Sequence, residues 1–299
     1  MNTSSFDFVS LGYVSNDNLA RVPEIPVDGK VRISSLEIQG GGPAADAAVC
    51  AARLGVSTAF ISSVGNDDAG KRILADLRAD NVDVSAIRVR ENCGSPISYC
   101  WVDDQGRRSV AWTMNGLELL TAAEVPTEMI RSAKVFHTEG HHPLAAAEAA
   151  KIAKEAGVLF ALDAGTLNDS TAFLSPLADI LITSEPFAKA ATGETAPEAA
   201  VEALRRKYPA AKVVGATFGG RGSYFWLDGK VIAVPPIDVE VIDTTGAGDS
   251  FHAGFEVAYA ETGDILYSAR FGTVVAGLKC RKLGARAGLP SRAEVLALL

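Results

Sequence analysis

Short apolar runs alternate with Ala-rich, helix-patterned stretches along most of this chain, and that rhythm constrains the fold more than any other feature. Phe8–Leu11, Thr58–Ser62, Lys134–His137, Val158–Leu162, Ile180–Thr183 and Lys212–Thr217 read as buried strands, and Ala44–Leu54, Gly70–Ala79, Leu144–Ala156 and Pro197–Lys207 as the helices between them. Strand, helix, strand in that order requires crossover connections. The expected architecture is therefore α/β, a doubly wound and mainly parallel sheet with helices on both faces. The tail departs from the rhythm: Gly248–Thr262, Ile265–Lys282 and Arg292–Leu299 read as successive helices.

Two regions break the pattern. Lys30–Gln39 alternates, while Ser95–Val102 and Arg107–Thr113 flank Asp103-Asp104-Gln105-Gly106, a hairpin signal between β-branched and aromatic residues. These strands imply a small separate sheet. The chain then reads as one domain over 1–299, with segments 13–40 and 93–114 forming a β-sheet lid over the carboxyl ends of the main strands.

Composition excludes several classes of partner. Lys and Arg number 28 against 36 Asp and Glu, a formal charge of −8, and no Lys/Arg run or basic tail occurs. Nucleic-acid binding is not expected. No stretch approaches the length of a membrane span, and Met1–Asp7 shows no leader pattern, so no membrane association and a cytoplasmic location are expected. Cys50, Cys93, Cys100 and Cys280 are scattered without metal-ligand spacing and read as reduced thiols.

Two glycine-rich turns invite a phosphate-binding reading. Gly65-Asn-Asp-Asp-Ala-Gly70-Lys71-Arg72 has P-loop spacing, but Arg72 replaces the hydroxyl residue that would hold Mg²⁺, so the segment reads as a plain strand-to-helix turn. The stronger turn is Val241-Ile-Asp243-Thr-Thr-Gly246-Ala-Gly248-Asp249-Ser-Phe-His252-Ala-Gly254, where a β-rich segment, Val231–Ile242, gives way to a helix. Gly246, Ala247 and Gly248 carry almost no side chain, so their N–H groups can line an anion hole at the positive end of that helix. Asp249 stands at the same mouth, where a carboxylate can take a proton from a hydroxyl. Ordinary helix capping by Asp and Thr is the alternative.

In register, three segments resemble the ribokinase-like (PfkB) carbohydrate kinases: Gly40-Gly-Gly-Pro-Ala-Ala-Asp46 with its following helix, Val64-Gly-Asn-Asp-Asp-Ala-Gly70, and Asp243-Thr-Thr-Gly-Ala-Gly-Asp249. The resemblance spans nearly the whole chain. It implies Asp249 as catalytic base, Gly246, Ala247 and Gly248 as the anion hole, and Asp17, Gly41 and Gly42 at the sugar. It implies Thr217, Gly219 and Gly222 in the nucleotide loop, with Thr273 and Gly284 in the segments bordering adenine. ATP and Mg²⁺ are the implied cofactors, and a monovalent cation near Asp243 and Thr245 is left open. Departures from the family pattern also stand out. Ser184-Glu185-Pro186-Phe187 replaces an Asn-x-x-Glu, which leaves Glu185 as a water-mediated Mg²⁺ contact. Asp46 replaces the asparagine that ribokinases place after the diglycine, which leaves it a candidate sugar contact and argues against a ribose-specific site.

Near the expected substrate end, His137, His141 and His142 cluster with Glu139, and Glu139 and His141 are candidate sugar contacts or members of a plain polar loop, rather than metal ligands. Lys30 and Arg32 alternate on the expected lid strand, where they form either a solvated face or a contact to an anionic sugar. The resulting expectation is ATP-dependent phosphorylation of a sugar hydroxyl, the terminal CH₂OH of a ketohexose-like sugar. The pattern is closest to the ketohexose branch that includes sulfofructose kinases. A nucleoside kinase of the same fold and a non-catalytic sugar-binding regulator are the alternatives. Unpaired lid edges point to a homodimer joined through the lids.

Overall fold

The computed structural model describes residues 5–105 and 107–299; the first four residues of the N-terminal reading, and Gly106 of the expected hairpin, lie outside them. In chain order the strands are β1 (Phe8–Leu11), β2 (Ser15–Val22), β3 (Ser35–Gly41), β4 (Thr58–Gly65), β5 (Val82–Asp83), β6 (Ile87–Arg90), β7 (Ile97–Asp103), β8 (Arg108–Thr113), β9 (Val135–Thr138), β10 (Leu159–Ala164), β11 (Ile180–Ser184), β12 (Val213–Thr217), β13 (Ser223–Leu227) and β14 (Lys230–Val234). The helices are α1 (Pro43–Arg53), α2 (Asp68–Ala79), α3 (Thr127–Arg131), α4 (Pro143–Ala156), α5 (Asp169–Leu174), α6 (Glu185–Thr192), α7 (Pro197–Lys207), α8 (Ala247–Thr262), α9 (Ile265–Lys279) and α10 (Arg292–Leu296).

Among the described residues, ten strands form the main sheet in the order β14-β13-β12-β11-β10-β9-β1-β4-β5, with β6 also paired to β4. Pairing is parallel from β12 through to β5, and β13 and β14 add an antiparallel edge. A parallel sheet covered on both faces needs strands that are apolar on both sides. β4 meets this demand, being buried at every position. On one face α4 presents Ala145, Ala146, Ala149 and Ala153, whose small side chains let it sit close to Phe136 and Phe160. On the other, α1, α8 and α9 pack with Phe60, Phe255 and Phe271.

The second sheet has the order β3-β2-β7-β8 and projects from the body as the expected lid. Its strands come from two separated segments: β2 pairs antiparallel with β3 and parallel with β7. The chain re-enters the body at Gly42, where φ is +102° and a Cβ would run into the Tyr13 carbonyl. Only glycine is at ease in that backbone region.

Several elements differ from expectation. β2 was not read as a strand because Ser15-Asn-Asp-Asn is polar; it pairs through its backbone in the middle of the lid. β3 starts only at Ser35, where its pairing with β2 runs out at Arg21, so Lys30 and Arg32 lie in an exposed loop and not on a strand. The β-rich reading of Val231–Ile242 fails beyond Val234, since Pro235 and Pro236 supply no N–H to a ladder. α9 stops at Lys279, short of Lys282, because the Cys280 carbonyl accepts from Ile242 and Asp243 N–H instead of continuing a helix. α10 ends at Leu296.

Candidate active site

The site forms where the parallel strands end. β1 delivers Gly12 and Tyr13, β9 delivers Glu139 and His141, β10 delivers Asp163, and β11 and β12 deliver Ser184 and Thr217. Across from them α8 begins in a turn tied by one carboxylate. Asp243 accepts from Thr245 N–H at 2.9 Å, from the Thr245 hydroxyl at 2.8 Å and from Gly284 N–H at 2.7 Å. Burial pushes its carboxyl up, and the Thr245 and Gly284 N–H groups more than offset this, holding it below the usual range. Lys279 secures the same turn by donating to the Asp243 carbonyl at 2.8 Å.

Gly246 caps α8 in the left-handed region at φ +75°. The turn does not offer all three expected amides. Ala247 N–H already donates to the Thr244 carbonyl at 3.1 Å, whereas no partner is seen among the described residues for the N–H groups of Gly246, Gly248 and Asp249. Among the described residues the unpaired amides of this turn are therefore those of Gly246, Gly248 and Asp249, a detail of turn geometry that spacing alone did not reveal. From the lid, Arg108 on β8 reaches this turn and donates to the Thr245 hydroxyl at 2.7 Å.

Two cavities of different chemistry meet at this helix mouth. One, of about 330 Å³, has a mixed lining that includes the polar side chains of Glu139, His141, Asp163, Asn168, Asp249 and His252. The other, of about 260 Å³, is mainly apolar and includes Gly219, Gly222, Ile237, Phe251, Thr273 and Cys280. Thr217 and Gly248 line both. The first suits a polyhydroxylated acceptor and the second a flat, weakly polar ring. Gly248 at their junction puts a free amide next to Asp249.

The carboxylates are tuned for this work. Burial pushes Asp249 up to about 6, with the Asp163 charge adding to the rise and the His252 imidazole opposing it. Asp249 therefore stays ionised at neutral pH yet lies close enough to accept a proton. Glu139 accepts from Tyr13 N–H at 2.6 Å, its Oε2 is buried without a protein partner, and burial pushes it up to about 8. His141 lies on the Tyr13 ring, centroids 4.6 Å apart, and Trp112 of the lid stands 6.1 Å from Tyr13.

Asp17 on β2 accepts from the Ser15 and Ser98 hydroxyls at 2.5 and 2.7 Å through one oxygen, leaving the other beside Gly41. A Cβ on Gly41 would collide with that carboxylate, so the diglycine gives the acid room. Thr217, Gly219, Gly222 and Thr273 all line the apolar cavity.

Other candidates stand elsewhere. Asp46 is buried and bound to Arg286 at 2.6 Å, away from the lining of either cavity, so it is not a free sugar ligand. Burial pushes its carboxyl up to about 8, and the Arg286 guanidinium pulls it back. Gly284 does not border the apolar cavity; it serves Asp243 and packs against Gln39, while Ala276, Gly277 and Cys280 take the bordering role. Lys30 is exposed in its loop. Glu185 is half-exposed and paired with Arg221 at 2.6 Å. His137 and His142 are not in the cavity: His137 pairs with Glu256, and His142 accepts from Leu120 N–H while burial pushes it down to about 3. The P-loop look-alike is structural, with Asp67 capping α2 by accepting from Gly70 N–H at 2.7 Å.

Mg²⁺ prefers oxygen donors, keeps several waters and is carried largely by substrate phosphates. Among the described residues no group of three His, Cys, Asp or Glu is placed to hold a metal directly. Glu185, the first residue of α6, has its Oε1 bound by Arg221, which leaves Oε2 as the oxygen available to a water on a nucleotide-bound ion. Asp163, His252, Glu256 and Arg286 went unrecognised as site or near-site groups. Asp163 closes an apolar strand with a charge at the sheet's carboxyl end, a signal available in the sequence. Arg286 meets Asp46 only in the folded chain.

A family profile described as pfkB family carbohydrate kinase matches residues 6–292. The chain is 30% identical over 294 residues to an ATP-dependent ribose-1-phosphate kinase of Halopiger xanaduensis, covering 97% of each. It is 30% identical over 296 residues to a ribokinase of Haemophilus influenzae, again covering 97% of each. Its structure is similar to that of an Arabidopsis thaliana ribokinase complexed with ribose and ATP, with a TM-score of 0.87, 27% identity and 99% of each chain covered. No helix among the described residues is long and apolar enough to cross a membrane.

Proposed function

We propose, from the premise that this chain belongs to the pfkB family of carbohydrate kinases, that it transfers the γ-phosphoryl group of ATP to the terminal CH₂OH of a ketohexose-like sugar. The observation that carries the reading is the meeting of a cavity of mixed lining and an apolar one at Gly248, next to an ionisable Asp249. Sugar hydroxyls would be held by Asp17, Glu139 and His141 and the adenine by the cleft at Ile237 and Thr273. The triphosphate would then cross the mouth of α8. The acceptor oxygen loses its proton to Asp249 as it bonds to the γ-phosphorus, and the bond to the β-phosphate oxygen breaks to release ADP. The Gly246, Gly248 and Asp249 amides receive the developing negative charge. Glu185 would hold nucleotide-bound Mg²⁺ through water, and the ion would supply charge neutralisation on the phosphates. Lid closure about Gly42, with Arg108 drawn to Thr245, keeps water from the reacting phosphorus.

Asp249→Asn tests the reading. Sugar-dependent ADP release should fall by about 10²–10⁴-fold while the fold is unchanged; turnover near the parent rate would refute it. A coupled ADP-release screen across ketoses, aldoses, sulfonated, phosphorylated and acidic sugars and nucleosides assigns the substrate. The aromatic group of Tyr13, His141 and Trp112 favours a second reading, a nucleoside kinase, because stacked rings suit a base as well as a sugar face. A sulfofructose or other anionic sugar would draw on Lys30 and Arg32 from their exposed loop. Sugar binding by calorimetry without turnover would support a non-catalytic binder instead. ATP as substrate and four free cysteines support a cytoplasmic setting. Exposed Leu36 and Ile38 on β3, with Val110 and Trp112 on β8, support a homodimer joined through the lids.

A further inference from the structure

Behind Asp249 lies a cluster of buried charge that the transfer step does not use. Asp249, His252 and Glu256 follow one another at three and four residues along α8 and so share one face of that helix. That face packs on β9 and β10, which present His137 and Asp163. His252 Nε2 is 3.2 Å from Asp163 Oδ1 on the cavity side, and His252 Nδ1 is 3.6 Å from Glu256 Oε1 on the core side. Glu256 also binds His137 Nδ1, at 2.9 and 3.0 Å through its two oxygens. His137 and Glu256 are 0% exposed and His252 2%, so these three are not compensated by solvent, whereas Asp163 and Asp249 border the cavity.

Isolated buried charges are costly, and such a set persists only if its members compensate one another. A neutral His252 would leave Asp163 and Glu256 facing each other across an uncharged ring. A protonated one stands between two carboxylates. We propose that His252 is a positioning residue: an imidazolium braced from behind by Glu256 and His137, which holds Asp163 at the cavity wall and keeps a positive charge beside Asp249. The inference rests on the reading of Asp249 as the base.

The surroundings of Asp249 agree in sign. His252, His137 and Lys279 of α9 favour its ionised form; Asp163 opposes it. Asp46 of α1, the partner of Arg286, and Glu139 after β9 complete the charged groups facing the cluster. Burial works against charge on His252 and His137, yet the carboxylates around them raise both, His137 to about 9. The same imidazoles hold Glu256 below the usual carboxylate range against its burial.

The test is a titration of the full chain without substrate, following aspartate carboxyl carbons and imidazole nitrogens by NMR, with Asp249→Asn identifying the Asp249 resonance. His252→Asn should move the Asp249 midpoint up by about one to two pH units, the size of effect of a neighbouring charge. In the parent both imidazoles should still be charged at pH 7. An unmoved Asp249 midpoint, or a neutral His252 at pH 7, overturns the proposal. Should His252→Asn not fold, Glu256→Gln reads the same network: the His137 midpoint should fall below 6.5, and an unchanged midpoint overturns it. With D-fructose or D-ribose as acceptor, the acid limb of kcat should rise with the Asp249 midpoint, whereas a purely structural role lowers kcat evenly at every pH. Failure of the two readings separates cleanly. Loss of turnover in Asp249→Asn with no midpoint shift in His252→Asn refutes the network alone. Retained turnover in Asp249→Asn refutes the base.

Discussion

β4 and β8 mark the two extremes of this molecule. Every residue of β4 is buried, and every residue of β8 is exposed. The body holds the phosphoryl-transfer end of the site on elements packed from both faces, while the lid is one sheet thick and carries Asp17, Arg108 and Trp112 toward the same cavities. The contrast teaches where tolerance lies. A change in the body meets packed neighbours unless it opens into a cavity, whereas a change on the lid meets solvent or substrate.

The largest effects should come from the two glycines at the mouth of α8, and they should differ in kind. Gly246 is left-handed, and a Cβ there would lie 2.9 Å from the Ala285 Cβ. Gly246→Val should therefore distort the turn and lower kcat by about 10²–10³-fold, the cost of losing a preorganised donor, together with a drop in melting temperature. A Cβ at Gly248 meets no protein atom within 4 Å, because that space is the passage between the cavities. Gly248→Ala should leave stability within about 0.5 kcal/mol and still cut turnover. Equal thermal losses in the two variants would show that both glycines are merely structural.

Next in size is the tie between α1 and the segment before α10. Asp46→Ala strips a buried guanidinium of the carboxylate that pairs with it, and one orphaned partner costs about 3–5 kcal/mol. Denaturant unfolding measures this. Asp46→Ala combined with Arg286→Met should recover much of the loss, because the uncompensated charge is then gone. No lid ion pair should approach this value: Arg107–Asp103 has its guanidinium in solvent, and exposed pairs contribute little.

Stability should also depend on pH through the body. His137 is held up to about 9 by Glu256 against its burial, compared with 6.5 unfolded. A group raised on folding stabilises fully below its unfolded value, so this contribution is present below pH 6.5 and lost as pH rises through about 9. Glu139, raised to about 8 from 4.5, acts in the same sense over a lower window. Melting temperatures measured from pH 6 to 9.5 should fall with rising pH, and His137→Asn should flatten the upper part of that slope. A slope unchanged in the variant would remove His137 from the account.

The same contrast explains what was legible in the sequence. Body strands announced themselves as apolar runs because both faces are buried, and the Gly246–Asp249 turn stood out because its geometry is set by adjacent residues. β2 escaped because Ser15–Asn18 is polar, and only pairing with β3 and β7 makes it a strand. Lys30 was placed on a strand because alternation in a solvated loop looks like alternation on a lid face. Asp46 and Arg286, 240 residues apart, and the His137–Glu256 pair are tertiary contacts with no local signature. Ala247 lost its expected role to a turn hydrogen bond, below the resolution of any motif.

The smallest thermodynamic effect is expected at the lid edges, and it is the most informative about assembly. Leu36 is 55% exposed and Trp112 61%, on the outer strands β3 and β8, so neither contributes much to the core of a single chain. Leu36→Ser on β3, distant in register from Asp17, should change the unfolding free energy of the isolated chain by no more than about 0.5 kcal/mol. If unpaired edges are covered by a second lid, light scattering at micromolar concentration should give about twice the 31.2 kDa of one chain, and Leu36→Ser should shift the population toward one copy. The apparent stability of the parent would then rise with protein concentration while that of the variant would not, since only a species that assembles is stabilised by mass action. A single 31.2 kDa species in both, with stability independent of concentration, would mean that the lid works alone. Val110 and Trp112, which share a lid face with Asp17, would then border the substrate side, while Leu36 and Ile38 on the opposite face would stand in solvent.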